Sequence, residues 1–322
     1  MPGELTLLPW AEVTARAARS ATVVWASDRA RRALGPEWPT ATWLTPDGRD
    51  AGAAASASTV IAVGGGALLD HVKLTWRARA PAATTLVAVP TVWGSGAEAS
   101  PVAVWTADGR KQFRLDPELR PHAIGFDPRF AATVSRDRAR AACGDVWAHA
   151  IEGFLSPLAS DALRARLAAL IGRLLELPVA ADGRWFEPGA EAAALQARSS
   201  VGLVHGLAHV LEPVLAPGVL GHARLCALLL APVLRWNAAT STTWAELSAR
   251  FGVDRTGVEA TVATLGEVEA RRALIPAVEA SWRQVLRDPC TRTNSALVRP
   301  NSLAGLVAEL EAAPVGSPDA RP

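Results

Sequence analysis

Two pairs of side chains, each four residues apart, carry types that do chemistry together. Asp145 and His149 lie in Gly144-Asp145-Val146-Trp147-Ala148-His149-Ala150-Ile151-Glu152, and His205 and His209 lie in the run 199–211. In a helix that spacing puts both side chains on one face, one turn apart. Asp145 and His149 sit among Ala, Val, Trp and Ile, so their face is expected to be buried. A buried carboxylate is costly unless it is paired or holds a metal. Alone, the pair reads either as an Asp–His hydrogen bond along a helix or as part of a metal site. A third histidine, His222, follows a loop with Pro213, Pro217, Gly218 and Gly221 and opens the apolar run 225–234. Four of the six histidines fall in these segments. Three imidazoles and one carboxylate complete the coordination shell of a divalent transition metal.

These groups must be positioned by helices, and the chain from Ser135 onward reads as helical. Ser135 is a candidate N-cap. Leu163, Leu167, Leu170, Ile171, Leu174 and Leu175 keep helical spacing, as do segments in 190–211, 223–236, 256–287 and 302–312, and these stripes are core faces. The preceding part alternates short β-branched runs with helical stretches: 22–25, 58–63 and 85–90 read as strands, 42–44 as a candidate strand, and 102–105 and 123–127 carry further short apolar runs. That alternation predicts a parallel α/β sheet with its ligand at the strand C-termini.

Two loops there carry possible cofactor chemistry. Gly64-Gly65-Gly66 ends one strand and opens a helix with Asp70 and Lys73 on its first turns. Such a cluster lets backbone N–H groups approach a phosphate, or simply makes a tight turn. Thr91-Val92-Trp93-Gly94-Ser95-Gly96-Ala97-Glu98 offers further donors. Asp28, after the early strand, either accepts from a ribose diol or caps the next helix. Domains are expected at 1–134 (α/β, dinucleotide-binding), 135–313 (all-helical) and 314–322 (a Pro/Gly/Ser-rich disordered tail), with 1–20 as a helix-like capping segment.

Hydrophobic residues make up 50% of the 322 and charged ones 20%, which describes a globular chain with a large core. A net charge of +2 without a basic block argues against nucleic acid and anionic membranes as partners. No run is long and apolar enough to span a bilayer and no signal pattern opens the chain, so a cytoplasmic protein is expected. Cys143, Cys226 and Cys290 read as reduced thiols in packed segments, Cys143 lying two residues before Asp145. Of the 33 basic residues only Lys73 and Lys111 are lysines. Either a compact ammonium is required at those positions or they survive by chance.

Taken together, six motifs in order resemble the iron-containing (group III) alcohol dehydrogenase family of the dehydroquinate-synthase-like superfamily. They are Val-Gly-Gly-Gly-Ala-Leu-Leu-Asp-His-Val-Lys (63–73), Pro-Thr-Val-Trp-Gly-Ser-Gly-Ala-Glu (90–98), the helix 144–152, Gly-Leu-Val-His-Gly-Leu-Ala-His (202–209), Gly-His-Ala-Arg (221–224) and Asp-Pro-Cys-Thr-Arg-Thr-Asn (288–294). The resemblance implies a Rossmann-like nucleotide-binding domain, an all-α metal domain and a homodimer. It puts Asp145, His149, His205 and His222 on metal-ligand positions, and His209 beside the substrate without binding the metal. It assigns Gly64, Gly65 and Gly66 to the pyrophosphate, Asp70 to the nicotinamide ribose, Thr91, Gly94 and Ser95 to the second cofactor loop, and Lys111 to an active-site lysine; Lys73 is grouped with the cofactor residues. Asp28 favours NAD(H) over NADP(H), and Fe(II) or Zn(II) fits the ligands. Ala67 and Val92 replace the family's usual Ser and Thr, marking a compact, divergent member. The implied activity is NAD(P)H-dependent interconversion of a small alcohol and its aldehyde or ketone. A carbocycle synthase of the dehydroquinate-synthase type and a partner-dependent member of a biosynthetic, peptide-tailoring complex are the alternatives.

Overall fold

A computed structural model describes residues 6–49, 51–79, 83–107, 110–215 and 220–312. The expected tail 314–322, and Pro217 and Gly218 of the loop before His222, lie outside the described residues. The chain divides into two compact units: Met1–Ala107, Gln112–Val134 and Ala181–Ala194 form the first, and Asp108–Lys111, Ser135–Ala180 and Leu195–Pro322 the second.

The first unit is built on a six-stranded parallel sheet in the order β1-β8-β5-β4-β2-β3. Its strands are β1 (Leu7–Leu8), β2 (Thr22–Ala26), β3 (Thr42–Leu44), β4 (Thr59–Gly64), β5 (Thr85–Pro90) and β8 (Ala123–Gly125), while β6 (Val102–Ala107) and β7 (Arg110–Leu115) pair only with each other. Between them run α1 (Trp10–Ala17), α2 (Asp28–Leu34) and α3 (Gly66–Arg79). The segment 1–20 thus contributes an edge strand as well as the expected helix. The central strands β2 and β4 are buried on both faces, which is why they read as continuous apolar runs rather than alternating ones.

Register decides what this sheet presents. Ala26 pairs with Val63, and Gly64 with Pro90. The C-terminal ends of β2, β4 and β5 therefore lie side by side, and the strand order reverses between β2 and β4, the switch point at which such sheets bind ligands.

Residues 181–194 join this unit although they fall within the span 135–313. The reason is aromatic. Phe186, at the start of α6 (Phe186–Gln196), stacks on Phe126 at 6.0 Å and meets Trp93 edge-on at 5.5 Å. Gly96 lies against the same helix with a left-handed φ of 60°, and a Cβ there would stand 1.9 Å from that of Ala193. Only glycine satisfies both demands.

Beside β6 the unit buries charge. The Lys73 ammonium donates to Asp70 Oδ1 at 3.0 Å, to Ala97 O at 3.0 Å and to Val102 O. Three acceptors around a point charge suit lysine and not a planar guanidinium, which accounts for one of the two retained lysines. Asp70 balances Lys73 and also accepts from Val104 N at 3.1 Å. Glu98 shares the cluster without a countercharge of its own, and burial pushes its carboxyl up to about 7 from 4.5. The folded state therefore holds a proton that the unfolded state releases, and stability falls as pH rises through 4.5 to about 7. Glu98→Gln is expected to stabilise the protein above pH 7 by up to about 3 kcal/mol and to be near neutral at pH 4.5. Urea unfolding at the two pH values checks this, and an equal effect at both would refute it.

The second unit is helical: α4 (Arg136–Leu155), α5 (Asp161–Leu174), α7 (Leu203–Val214), α8 (His222–Thr240), α9 (Glu246–Ala249), α10 (Arg255–Ala263), α11 (Val268–Arg272), α12 (Ile275–Val285) and α13 (Ser302–Glu311). Ser135 caps α4 as expected, accepting from Arg138 N. The stretch 190–211 is two helices, because Ser200 takes a left-handed φ of 80° and breaks the run. No described helix is long and apolar enough to cross a membrane.

Candidate metal centre

The centre is built around α4. From Ala141 to Leu155 every residue of this helix is buried, so its polar residues Asp145, His149 and Glu152 have no solvent to satisfy them. Gly144 brings α8 close: a Cβ at that position would stand 2.4 Å from Ala227 Cβ and 2.6 Å from Ala227 Cα. This contact sets the α4–α8 spacing one residue away from Asp145 on one helix and from Cys226 on the other.

The first turn of α7 is held from outside. Its N-cap, Gly202, has no side chain to offer, so the free N–H groups of the turn need other acceptors. Leu203 N donates to Asn294 Oδ1 at 3.2 Å, Val204 N to Glu152 Oε1 at 2.6 Å and His205 N to Glu152 Oε2 at 3.4 Å. Asn294 is fixed by reciprocal amide bonds with Asn237 of 2.6 and 3.1 Å. Glu152 Oε2 also lies 2.7 Å from His205 Nδ1. A carboxylate there requires the proton on Nδ1, leaving Nε2 with its lone pair. Burial, reinforced by His149 and His209, holds the ring's pKa well below 6.5, so the imidazole is neutral.

His205 Nε2 and Asp145 Oδ1 lie 3.7 Å apart, and neither has a hydrogen-bond partner among the described residues. His222 Nε2 is 3.9 Å from the same Oδ1. One ligand atom each from Asp145, His205, His222 and Cys226 lie within 4.8 Å of one another. Burial pushes the Asp145 carboxyl upward despite the His149 imidazole. Orphaned, deeply buried lone pairs aimed at one point are costly unless a cation collects them, so the donor set fits a divalent transition metal.

The remaining predicted residues fall around this point. His149 stacks on His205 with ring centroids 4.7 Å apart, and lies outside the tight group of four. Its Nδ1 is unpartnered among the described residues. His209 stacks on His222 at 5.3 Å, and its Nδ1 lies 3.5 Å from Asp288 Oδ2 and 3.8 Å from Cys290 Sγ. Lys111 pairs with Glu212 Oε1 at 3.1 Å, and Glu212 Oε2 is 3.8 Å from His222 Nδ1. Sequence reasoning quoted Glu152 without giving it a role and did not connect Cys226 to the site. Both follow the helical spacing that flagged the others: Glu152 is one turn past His149, and Cys226 is four residues past His222.

In the first unit, the cofactor candidates share the C-terminal edge of the sheet. Thr91 N donates to Gly64 O at 3.0 Å, and a Cβ on Gly66 would stand 2.3 Å from Ser95 Oγ. The two loops therefore abut at the N-terminus of α3, where backbone donors and the helix dipole favour an anion. Gly94 takes a left-handed φ of 118°. Asp28 is exposed at the first turn of α2, and the cap of that helix is Ser27, which accepts from Ala30 N. Lys73 is enclosed, with its three N–H groups committed to protein acceptors.

Comparison with known proteins shows what this chain is similar to. A profile of the family described as iron-containing alcohol dehydrogenase matches residues 45–128. The 1-propanol dehydrogenase PduQ of Salmonella typhimurium is 31% identical over 193 residues, covering 56% of this chain and 51% of its own. Maleylacetate reductase 2 of Cupriavidus pinatubonensis is 29% identical over 199 residues, covering 57% and 52%. The matched region spans about half the length of these relatives. The fold extends further: maleylacetate reductase from Agrobacterium tumefaciens superimposes with a TM-score of 0.75 over 96% of both chains at 17% identity. An iron-containing alcohol dehydrogenase from Thermococcus thioreducens gives 0.71 over 95% of this chain and 98% of that one at 20% identity. A parallel α/β unit followed by a helical unit is thus the architecture this chain shares with that class. Part of its sequence, and its fold, are similar to those of iron-containing alcohol dehydrogenases.

Proposed function

We propose that the chain is a metal-dependent NAD(P)H oxidoreductase that interconverts a small alcohol and its aldehyde or ketone. The observation that carries this reading is the gathering of Asp145, His205 and His222 ligand atoms in the helical unit, with Asp145 Oδ1 and His205 Nε2 buried and unpartnered among the described residues. A divalent metal supplies Lewis acidity toward a substrate oxygen, and a nicotinamide cofactor supplies or accepts the hydride.

The protein's own groups do the rest. Asp145, His205 and His222 hold the metal, and Glu152 fixes the His205 ring. His209, oriented by Asp288, moves the proton to or from the substrate oxygen. Lys111 is held by Glu212 beside His222 and contributes positive charge there. Gly64, Gly65 and Gly66 present N–H groups to the pyrophosphate, and Thr91, Gly94 and Ser95 form the second wall of that site. Asp28, exposed beyond β2, accepts from a ribose diol, which favours NAD(H) over NADP(H). Asp70 is in the same α3 turn region but is bonded to Lys73 and Val104 N, so its part, like that of Lys73, is to shape the loop.

Family resemblance supports a homodimer, and the absence of a disulfide among the described residues is consistent with a cytoplasmic setting. A carbocycle synthase is disfavoured, since it calls for several active-site lysines and this chain has two, one of them enclosed. The test is metal analysis of anaerobically purified protein with NADH titration on the same sample. About one iron or zinc per chain with NADH binding is expected. Absence of both would refute the reading.

A further inference from the structure

Cys226 stands one turn beyond His222 on α8, fully buried, with its Sγ 3.6 Å from His222 Nε2. It is one of the four residues whose ligand atoms lie within 4.8 Å of one another. The other cysteines are placed differently. Cys143 is outside both metal-capable groups of the described residues, and Cys290 belongs to a separate group with His209 and Asp288. In that group Asp288 and Cys290 both face the same nitrogen, His209 Nδ1.

Two buried atoms mark the space beside Cys226 as suited to a cation. Among the described residues Asp145 Oδ1 and His205 Nε2 have no hydrogen-bond partner, on residues 1% and 3% exposed, and a ligand atom of each residue lies within 4.8 Å of Cys226 Sγ. The close approach of α4 and α8 at Gly144 and Ala227 brings the sulfur there, one residue along from Ala227.

We propose that Cys226 is a metal ligand, its thiolate joining Asp145, His205 and His222 at the centre. This rests on the metal-centre reading above. On binding, the Sγ proton leaves to solvent and the sulfur lone pair takes the metal. A thiolate is softer than imidazole or carboxylate, so it shifts selectivity toward zinc and cadmium relative to iron(II) and manganese(II).

The experiment is zinc-edge X-ray absorption on the full chain, stripped with a chelator and reloaded with one equivalent of Zn(II). The expected spectrum has one sulfur at about 2.3 Å in addition to nitrogen and oxygen at about 2.0–2.2 Å. Cys226→Ala is expected to lose the sulfur shell and keep the lighter one, with zinc affinity falling at least about tenfold. Cys290→Ala keeps the sulfur. If Cys226→Ala does not fold by circular dichroism, Cys226→Ser gives the same readout with a smaller change in volume. A wild-type spectrum of nitrogen and oxygen alone, or a sulfur shell that survives loss of Cys226, overturns the proposal and leaves the metal centre standing. Failure of the wild-type chain to bind zinc overturns both.

Discussion

Replacing His205 with alanine is expected to empty the metal centre while the helical unit stays folded. His205 is the donor whose presentation is most fully determined by the protein. Its Nδ1 is engaged by Glu152 at 2.7 Å, its ring is 3% exposed, and its Nε2 is left with no partner beside Asp145. Removing it takes one ligand from the set and exposes the Asp145 carboxylate to the full cost of burial without a cation. Metal content by mass spectrometry should fall from about one per chain to background, with turnover lost in parallel. Helix content should persist, because α7 keeps the Glu152 and Asn294 acceptors at its first turn. His209→Ala is the informative companion. His209 Nδ1 is turned to Asp288 and Cys290, so that variant should retain the metal and lose turnover by about two to four orders of magnitude, the scale of a lost proton relay. Full metal occupancy in His205→Ala would remove His205 from the ligand set.

What the sequence made legible follows from which signals are local. The i,i+4 spacing of Asp145 and His149 and the apolar residues around them announce a buried polar face on α4 without any tertiary knowledge. The strand runs at 59–64 and 85–90 are legible for the same reason, since burial on both faces removes alternation. The placement of 181–194 was not, because it depends on Phe186 meeting Phe126 and Trp93, residues distant in sequence. Lys73 looked like a cofactor residue because its neighbours Gly64–Gly66 do. Its actual acceptors, Ala97 O and Val102 O, are backbone atoms some 24 and 29 residues away, and backbone carbonyls leave no trace in residue types. Cys226 was overlooked for a different reason. His222 and Cys226 have the same four-residue spacing as Asp145 and His149, but a cysteine in an apolar run reads as packing, and it takes the approach of α4 at Gly144 to bring Asp145 near it.

The second large effect is expected at a residue that touches neither metal nor substrate. Glu152→Gln should weaken metal binding about 10- to 100-fold. Glu152 accepts from the N–H groups of Val204, His205 and the His205 ring. Glutamine keeps one oxygen and replaces the other with an NH₂ donor, so one of these N–H groups must face another donor. If the amide oxygen stays on Val204, the nitrogen meets His205 Nδ1–H. The ring then either turns, or moves its proton to Nε2 and loses the lone pair offered to the metal. If the oxygen turns to the ring, the first turn of α7 loses its acceptor, at a cost of about 1–3 kcal/mol. The two outcomes separate by experiment. Competition with a chromophoric chelator reads metal affinity, and urea unfolding of the metal-free protein reads the helix cap. Reduced affinity with nearly unchanged apo-protein stability identifies Glu152 as the residue that orients His205. Reduced apo-protein stability with unchanged affinity identifies it as a cap alone, and the orienting role would be withdrawn. Because Glu152 Oε2 serves His205 N at 3.4 Å and His205 Nδ1 at 2.7 Å, the shorter bond is the one whose loss dominates, and the change in metal affinity should exceed the change in stability.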